Sequence, residues 1–517
     1  MALNQLKAGA ALSYVVLGLS NIVALLYTPY MLRMMGQSEY GLYALVSSVI
    51  AYLTILDFGF GNAIVRYTAK FKAEGKKDEQ YSMFGLFIIL YSAIGVIAFL
   101  AGLSIYFNVE VFFGETMTST EIDRAKIMIL WMLFDVSITF PLSIFGSIIN
   151  AYENFVFSKI ITIIRIVLST IVMILLLEIG YRAIGLVVAT SVFNFLSLFF
   201  NYLYCKKKIK IKIHFKKFEW GFLKEVALYS FFIFLNIIMD RIYWSTGQFI
   251  LGACVGTVAI AVFSVGISIQ SMYMSFSTAI SGVFLPRVTA MSTHNESDKA
   301  ISDLFIRTGR IQYIILSFIL TGFILFGKQF ISLWAGANYA NSYYIALIFL
   351  IPLTIPLMQN LGITILQARN QMKFRSLLYI VIAGISLGLQ IPLAKLWGGI
   401  GVASAISFGL IAGQILGMNI YYYKKQNIDI PQFWLEIAKM SIVPIILGVI
   451  SFFILQHVIL NTIATLALGI IIFSIIYIPT FWNFAMNKSE KELIEIPLRN
   501  LYTSGLSRKM IALIKKG

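Results

Sequence analysis

Several charged side chains stand in or against long apolar runs of this chain. Asp57, Asp135, Arg165, Asp240 and Arg241 fall inside the runs, and Arg33 and Arg66 lie near run ends. A charge in the middle of a hydrocarbon layer costs about 2.5–3.5 kcal/mol on insertion scales, so such a residue faces a wet cavity or a partner. A guanidinium there can hold a phosphate or carboxylate through its planar fork of donors and permanent charge. A carboxylate there can carry an ion or neutralise an arginine. Asp240 and Arg241 are adjacent, and neighbouring helical residues point about 100° apart, so they cannot form one clean ion pair. At least one of them must reach another helix or a cavity. Two readings stay open for Arg165 and Arg241: lining a cavity, or pairing with Asp57, Asp135 and Asp240 to lock helices together. For Arg33 and Arg66 the competing reading is an interfacial anchor.

Other chemistry finds little support in the residues. His214, His294 and His457 are scattered, and Cys205 and Cys254 make neither a disulfide framework nor a ligand cluster, so no metal site is expected. There is no Asp-x-Asp motif, no glycine-rich phosphate loop and no nucleophile–base pair. The expectation is a protein that is not an enzyme, with no catalytic residue and no cofactor.

The elements that must position these charges follow from composition. Hydrophobic residues make up 59% of the 517 and charged residues 12%, against about 25% charged in soluble domains. The solvent must then be largely lipid. A membrane-crossing helix needs about 20 apolar residues. Fourteen such runs can be read, at 11–33, 41–63, 82–107, 127–149, 157–178, 183–204, 226–251, 257–284, 311–333, 343–366, 377–395, 400–422, 438–457 and 461–484. The runs are too long and too uniformly apolar for outer-membrane strands. The first is too long for a signal-peptide core, and no small-x-small site follows it.

Charge orients the spans. With the amino terminus inside, the inner segments hold 32 of the 40 basic residues and the outer loops six. Lys and Arg favour cytoplasmic loops, so both termini are expected there. The same asymmetry explains the net charge of +17 without nucleic acid. The lysine-rich stretch at 205–217 reads as an anchor against anionic lipid. The tail after Asn487 mixes apolar and basic residues and reads as an interfacial cytoplasmic helix.

The two halves repeat. Gly36 to Arg66 spaces like Gly256 to Arg287. NAYENF (150–155) parallels QARNQM (367–372), YRAIGLVVATS (181–191) parallels WGGIGVASAIS (397–407), and YLYCKK (202–207) parallels YYYKK (421–425). Six spans return the chain to the same side, so the copies share orientation and are related by an axis along the membrane normal. The expected fold is an all-α membrane protein of about 14 transmembrane helices. It comprises an N-terminal lobe (1–215), a C-terminal lobe (216–430), two extra spans (431–486) and the tail (487–517), with a cavity between the lobes.

YTPYMLRMMGQSEYGLYAL (27–45), LDFGFGNAIVRY (56–67) and MDRIYWSTGQFILGACVGTVAIAVFSVG (239–266) resemble the polysaccharide transporters of the multidrug/oligosaccharidyl-lipid/polysaccharide exporter superfamily. Phe58 and Phe60 replace the leucines usual in that family's Asp-Leu-Gly-Leu-Gly segment. The resemblance implies a flippase in the cytoplasmic membrane. It would move undecaprenyl-diphosphate-linked oligosaccharide to the outer leaflet by alternating access, for surface polysaccharide biosynthesis. It also implies other polysaccharide-assembly proteins as partners, besides the lipid-linked oligosaccharide and membrane lipids. On this reading Arg165, Arg241, Arg33 and Arg66 line the cavity and meet the pyrophosphate or acidic sugars, while Asp57, Asp135 and Asp240 serve ion coupling or salt bridges. A multidrug or cation exporter and a lipid II flippase of the same superfamily are the alternatives, with a membrane polymerase or glycosyltransferase behind them.

Overall fold

The computed structural model describes residues 5–215, 220–281, 291, 297–369, 371–493 and 495–496. The helices are α1 (Gln5–Leu53), α2 (Phe60–Ala73), α3 (Lys77–Phe107), α4 (Val109–Phe113), α5 (Ser119–Ala151), α6 (Phe155–Glu178), α7 (Arg182–Tyr204), α8 (Trp220–Trp244), α9 (Thr246–Cys254) and α10 (Thr257–Ser281). They continue as α11 (Asp298–Trp334), α12 (Ser342–Met358), α13 (Leu361–Ala368), α14 (Lys373–Gly409), α15 (Met418–Gln426), α16 (Ile430–Leu455) and α17 (Ile463–Phe484). No strand occurs among the described residues. In hydrocarbon a helix satisfies its own backbone groups, which is why apolar runs of this length fold this way.

Each of the fourteen predicted spans overlaps helix among the described residues, but not one for one, and residues 282–284 of the span 257–284 lie outside them. Ten helical stretches among the described residues are long and apolar enough to cross a membrane. The count is eleven if α12 and α13, bent by 44°, are one span. Two of the ten, Ala8–Ala73 and Lys373–Gln426, run for 66 and 54 residues. Straight, they would be about 100 and 80 Å long, far beyond a hydrocarbon layer of about 30 Å. The backbone breaks them instead. Gly36 (φ 76°, ψ 172°) interrupts α1, and Gly398 (φ 55°, ψ −132°) interrupts α14. A 3-10 turn at Thr54–Asp57, followed by Phe58 (φ 50°) and Gly59 (φ 74°), separates α1 from α2. The predicted spans 41–63 and 226–251 are therefore interrupted helices, the second at Ser245 between α8 and α9.

The chain forms two compact units. The first comprises Met1–Ser275, Trp334–Pro352 and Met372–Gly417. In it α3 packs on α5, α5 on α7, α1 on α6, and α9 on α14. Small residues let the helices approach, as is common inside membranes. A Cβ at Gly95 of α3 would lie 2.6 Å from the Ser137 carbonyl oxygen of α5.

The second unit comprises Phe276–Leu333, Leu353–Gln371 and Met418–Gly517. Its core joins α11, α16 and α17 through Leu325, Phe326, Met440, Val443, Phe473 and Tyr477. Beside this core Arg310 is buried and fully engaged. Its Nε and Nη2 donate to the two oxygens of Glu490 at 2.6 and 3.0 Å, its Nη1 to Glu436 at 2.6 Å, and Nη2 also to the Ala485 carbonyl at 3.2 Å. Glu490 is 1% exposed and also accepts from the Asn487 backbone, while the Asn487 side chain accepts from the Glu490 backbone. This reciprocal cap starts a helix at 488–493, and the tail from 497 onward lies outside the described residues.

Breaking one side of such a buried pair costs about 3–5 kcal/mol, because the other charge is left uncompensated. Arg310→Met should therefore lower the denaturation midpoint of the purified protein sharply. Adding Glu490→Leu should recover much of the loss, and thermal melts of the two variants decide it.

Candidate functional site

The first unit gathers the mid-span charges into three polar clusters. The first is built by the break in LDFGFG. Asp57 ends the 3-10 turn, where its carboxylate accepts from the Gly59 backbone and, at 2.7 Å, from Tyr91 Oη of α3. Phe58 packs on Phe234 with ring centroids 4.7 Å apart, and Tyr91 is buried between Phe60 and Phe140. Asp57 makes no ion pair among the described residues.

The second cluster joins three helices through an amide. Asn194 Nδ2 of α7 donates to Asp135 Oδ1 at 2.9 Å and to Thr139 Oγ1 at 2.8 Å, both on α5. Arg165 Nη1 of α6 donates to Asn194 Oδ1 at 3.4 Å, and its side chain is otherwise exposed. Asn194 thus bridges Arg165 and Asp135, which form no direct ion pair.

The third cluster lies on α8 and α14. Asp240 is within electrostatic reach of both Arg375 and Arg241. Arg375, near the start of α14, places its guanidinium 4.4 Å from the Tyr379 ring centroid. Just beyond, the helix breaks at Ser245. The buried Gln248 amide, oriented with its nitrogen toward the break, donates to the Trp244 and Ser245 carbonyls at 3.3 and 3.1 Å. Arg241 makes no direct ion pair among the described residues.

Arg33 and Arg66 are both exposed. Arg33 lies on α1 shortly before the Gly36 break. Arg66 lies on α2 with its guanidinium 5.7 Å from the Tyr67 ring, and Tyr67 Oη donates to Glu225 at 2.9 Å. The structure therefore brings Arg165 together with Asp135, and Arg241 with Asp240.

Three participants escaped the sequence reading. Asn194 sits within an apolar run and was open to the same criterion that found Asp135. Arg375 precedes its run by two residues and groups with the inner basic loop. Its signal is Tyr379, one helical turn on. Tyr91 carries no charge to mark it. Among the described residues no group of three or more His, Cys, Asp or Glu could hold a metal ion.

A multi-pass helical membrane protein whose spans carry polar clusters is the class these features define. The chain belongs to the family described as polysaccharide biosynthesis protein, which matches residues 6–292. Solved structures share its fold. A lipid II flippase MurJ in an inward closed conformation is 18% identical, with a TM-score of 0.67 over 91% of this chain and 98% of that one. A multidrug resistance MATE family transporter of the MOP superfamily, inward-facing, is 14% identical, with a TM-score of 0.58 over 81% and 94%. The MATE transporter VcmN of Vibrio cholerae, in a bent form, is 14% identical, with a TM-score of 0.51 over 83% and 98%. The motif resemblance to a polysaccharide family thus holds. No curated protein matches the chain by sequence.

The left-handed turn beside Asp57 is the backbone feature most exposed to substitution. Gly59→Ala puts a Cβ at φ 74° and should cost about 1–2 kcal/mol. Gly18→Ala in α1, where a Cβ meets nothing within 4 Å, should be neutral or stabilising by up to about 1 kcal/mol. Parallel thermal melts of the two variants give the comparison.

Proposed function

We propose that this protein is a flippase. Its cargo is an undecaprenyl-diphosphate-linked oligosaccharide, carried from the inner to the outer leaflet of the cytoplasmic membrane for surface polysaccharide biosynthesis. The observation that carries the reading is membership of the polysaccharide biosynthesis family across residues 6–292. The fold shared with a lipid II flippase supports it. The placement of the guanidinium groups supports an anionic cargo. Arg165 reaches a carboxylate only through an amide, and Arg241 makes no direct ion pair among the described residues. Such groups keep donors available for a diphosphate.

On this reading the lobes are 1–215 and 216–430, followed by the two spans at 431–486 and the tail at 487–517. Both termini are cytoplasmic, and the lobes expose a cavity to each side in turn. Arg165, Arg241, Arg33 and Arg66 meet the cargo. Asp57, Asp135 and Asp240 serve coupling or pairing. Partners are the lipid-linked oligosaccharide, membrane lipids and other polysaccharide-assembly proteins. The protein moves its cargo and catalyses no reaction.

One observation favours a second reading, a cation or drug exporter. Asp57 is held by a tyrosine and a backbone N–H, with no cationic side chain paired to it among the described residues. Such a carboxylate could take a cation.

Deletion of the gene should trap lipid-linked oligosaccharide on the inner leaflet and deplete surface polymer. Arg165→Ala and Arg241→Ala should each fail to restore export while remaining folded in the membrane, and the Lys variants should restore it in part. Normal export by the Ala variants removes these arginines from the site. Drug resistance conferred on sensitive cells, with no trapped intermediate, overturns the flippase reading in favour of the exporter.

A further inference from the structure

Away from the mid-span clusters, the first unit carries a polar cleft of about 430 Å3. It lies where the Gly36 break of α1, the first turn of α5 and the start of α7 meet. Gln37, Ser38, Glu39, Glu121, Arg124 and Arg182 are among its walls. The volume is within the range of about 300–1,000 Å3 typical of small-ligand sites. Two other cavities, on α11 with α16 and on α12 with α14, are lined mainly by apolar side chains.

The carboxylates of this cleft are already committed. Glu39 is 7% exposed and pairs with Arg124. Glu121 accepts from Ser38 Oγ, from Thr257 Oγ1 at 2.8 Å, and from Thr118 through its backbone and hydroxyl, each at 2.9 Å. Burial pushes the Glu121 carboxyl up, and these bonds together outweigh it, so the group is held below the ordinary carboxylate range. Thr118 is at once the cap of α5 and a partner of Glu121, which fixes this wall to the helix start. Gln37 is fixed too, its Nε2 donating to the Asn338 carbonyl at 2.9 Å.

Arg182 is the exception. It is exposed, opens α7, and makes no ion pair or hydrogen bond among the described residues. A preset wall of hydroxyls, one amide and two committed carboxylates, with one uncommitted guanidinium, suits a ligand rich in hydroxyls that carries one acidic group. The guanidinium fork takes a carboxylate or phosphate in two parallel bonds. By the charge count along the sequence, the three turns that form the cleft belong to the connections poor in lysine and arginine. The charge rule assigns such connections to the outer face.

We propose that this cleft is an outer-face docking site for an acidic saccharide headgroup, with Arg182 holding its acidic group. The inference rests on the flippase reading and adds to it a place where the cargo's head settles after crossing.

The test uses the purified full chain, with glucuronate as probe and glucose and acetate as controls. Saturable binding of glucuronate is expected, read by calorimetry and by a rise in melting temperature. Glucose and acetate should each bind at least about tenfold more weakly, since each offers only half of the contacts. Arg182→Gln should lose glucuronate binding by about tenfold or more with its unliganded melting temperature unchanged, and Arg182→Lys should lose less. Arg182→Cys should be labelled from outside intact cells by a membrane-impermeant thiol reagent, and glucuronate should shield it. Absence of saturable binding, equal binding of acetate, or unchanged binding by Arg182→Gln overturns the proposal. So does labelling only from the cytoplasmic side. Failure of the broader reading looks different: no lipid-linked intermediate accumulates in the deletion strain, whatever the cleft binds.

Discussion

Hydrocarbon offers a backbone no hydrogen-bonding partner, and that constraint governs the rest of this structure. Each unpaired N–H or carbonyl in such surroundings costs several kcal/mol, so a crossing segment stays helical unless something local answers the groups a break releases. Two breaks inside predicted spans are answered in this way. After the 3-10 turn the Gly59 N–H finds the Asp57 carboxylate, and at Ser245 the Gln248 amide reaches two carbonyls. The side chains that make the breaks tolerable sit beside the charged clusters. Asp57 is itself one of those charges, and Gln248 lies two helical turns beyond Asp240. Polar side chains that a continuous helix would leave stranded are here held by, or hold, an irregular backbone.

The sequence was legible where one physical rule acts alone. Long apolar runs can only be membrane-crossing helices, so the all-helical class and the position of every run were readable from hydrophobicity. The polar exceptions within runs were equally visible, which is why Asp57, Asp135, Arg165, Asp240 and Arg241 stand out. Illegible were features that depend on two rules at once. The breaks at Phe58–Gly59 and at Ser245 lie inside single predicted runs, 41–63 and 226–251, and only the backbone shows that the helix stops there, whereas Gly36 and Gly398 fall between predicted runs. Arg375 falls at the start of an apolar run, where charge counting assigns it to a loop, yet its guanidinium packs over Tyr379 near Asp240. The bridge from Arg165 to Asp135 through Asn194 spans α5, α6 and α7, and no spacing along the chain announces it.

The two units use arginine in opposite ways, and the contrast bears on function. In the second unit Arg310 spends its donors on Glu490, Glu436 and a backbone carbonyl, all close and largely sheltered. A guanidinium so saturated has little left to offer a ligand, and its removal would leave a buried carboxylate without compensation. It works as a rivet between α11, α16 and the start of the tail. In the first unit the balance is reversed. Arg165 makes one long bond to an amide, and Arg241 makes no direct ion pair among the described residues. Arginines held this loosely would be a poor way to lock a bundle, because a direct pair would bring more Coulomb energy for the same insertion cost. Loosely held positive charge inside a membrane protein makes physical sense when a negative charge arrives from elsewhere. On the flippase reading proposed above, a diphosphate in transit would supply that charge.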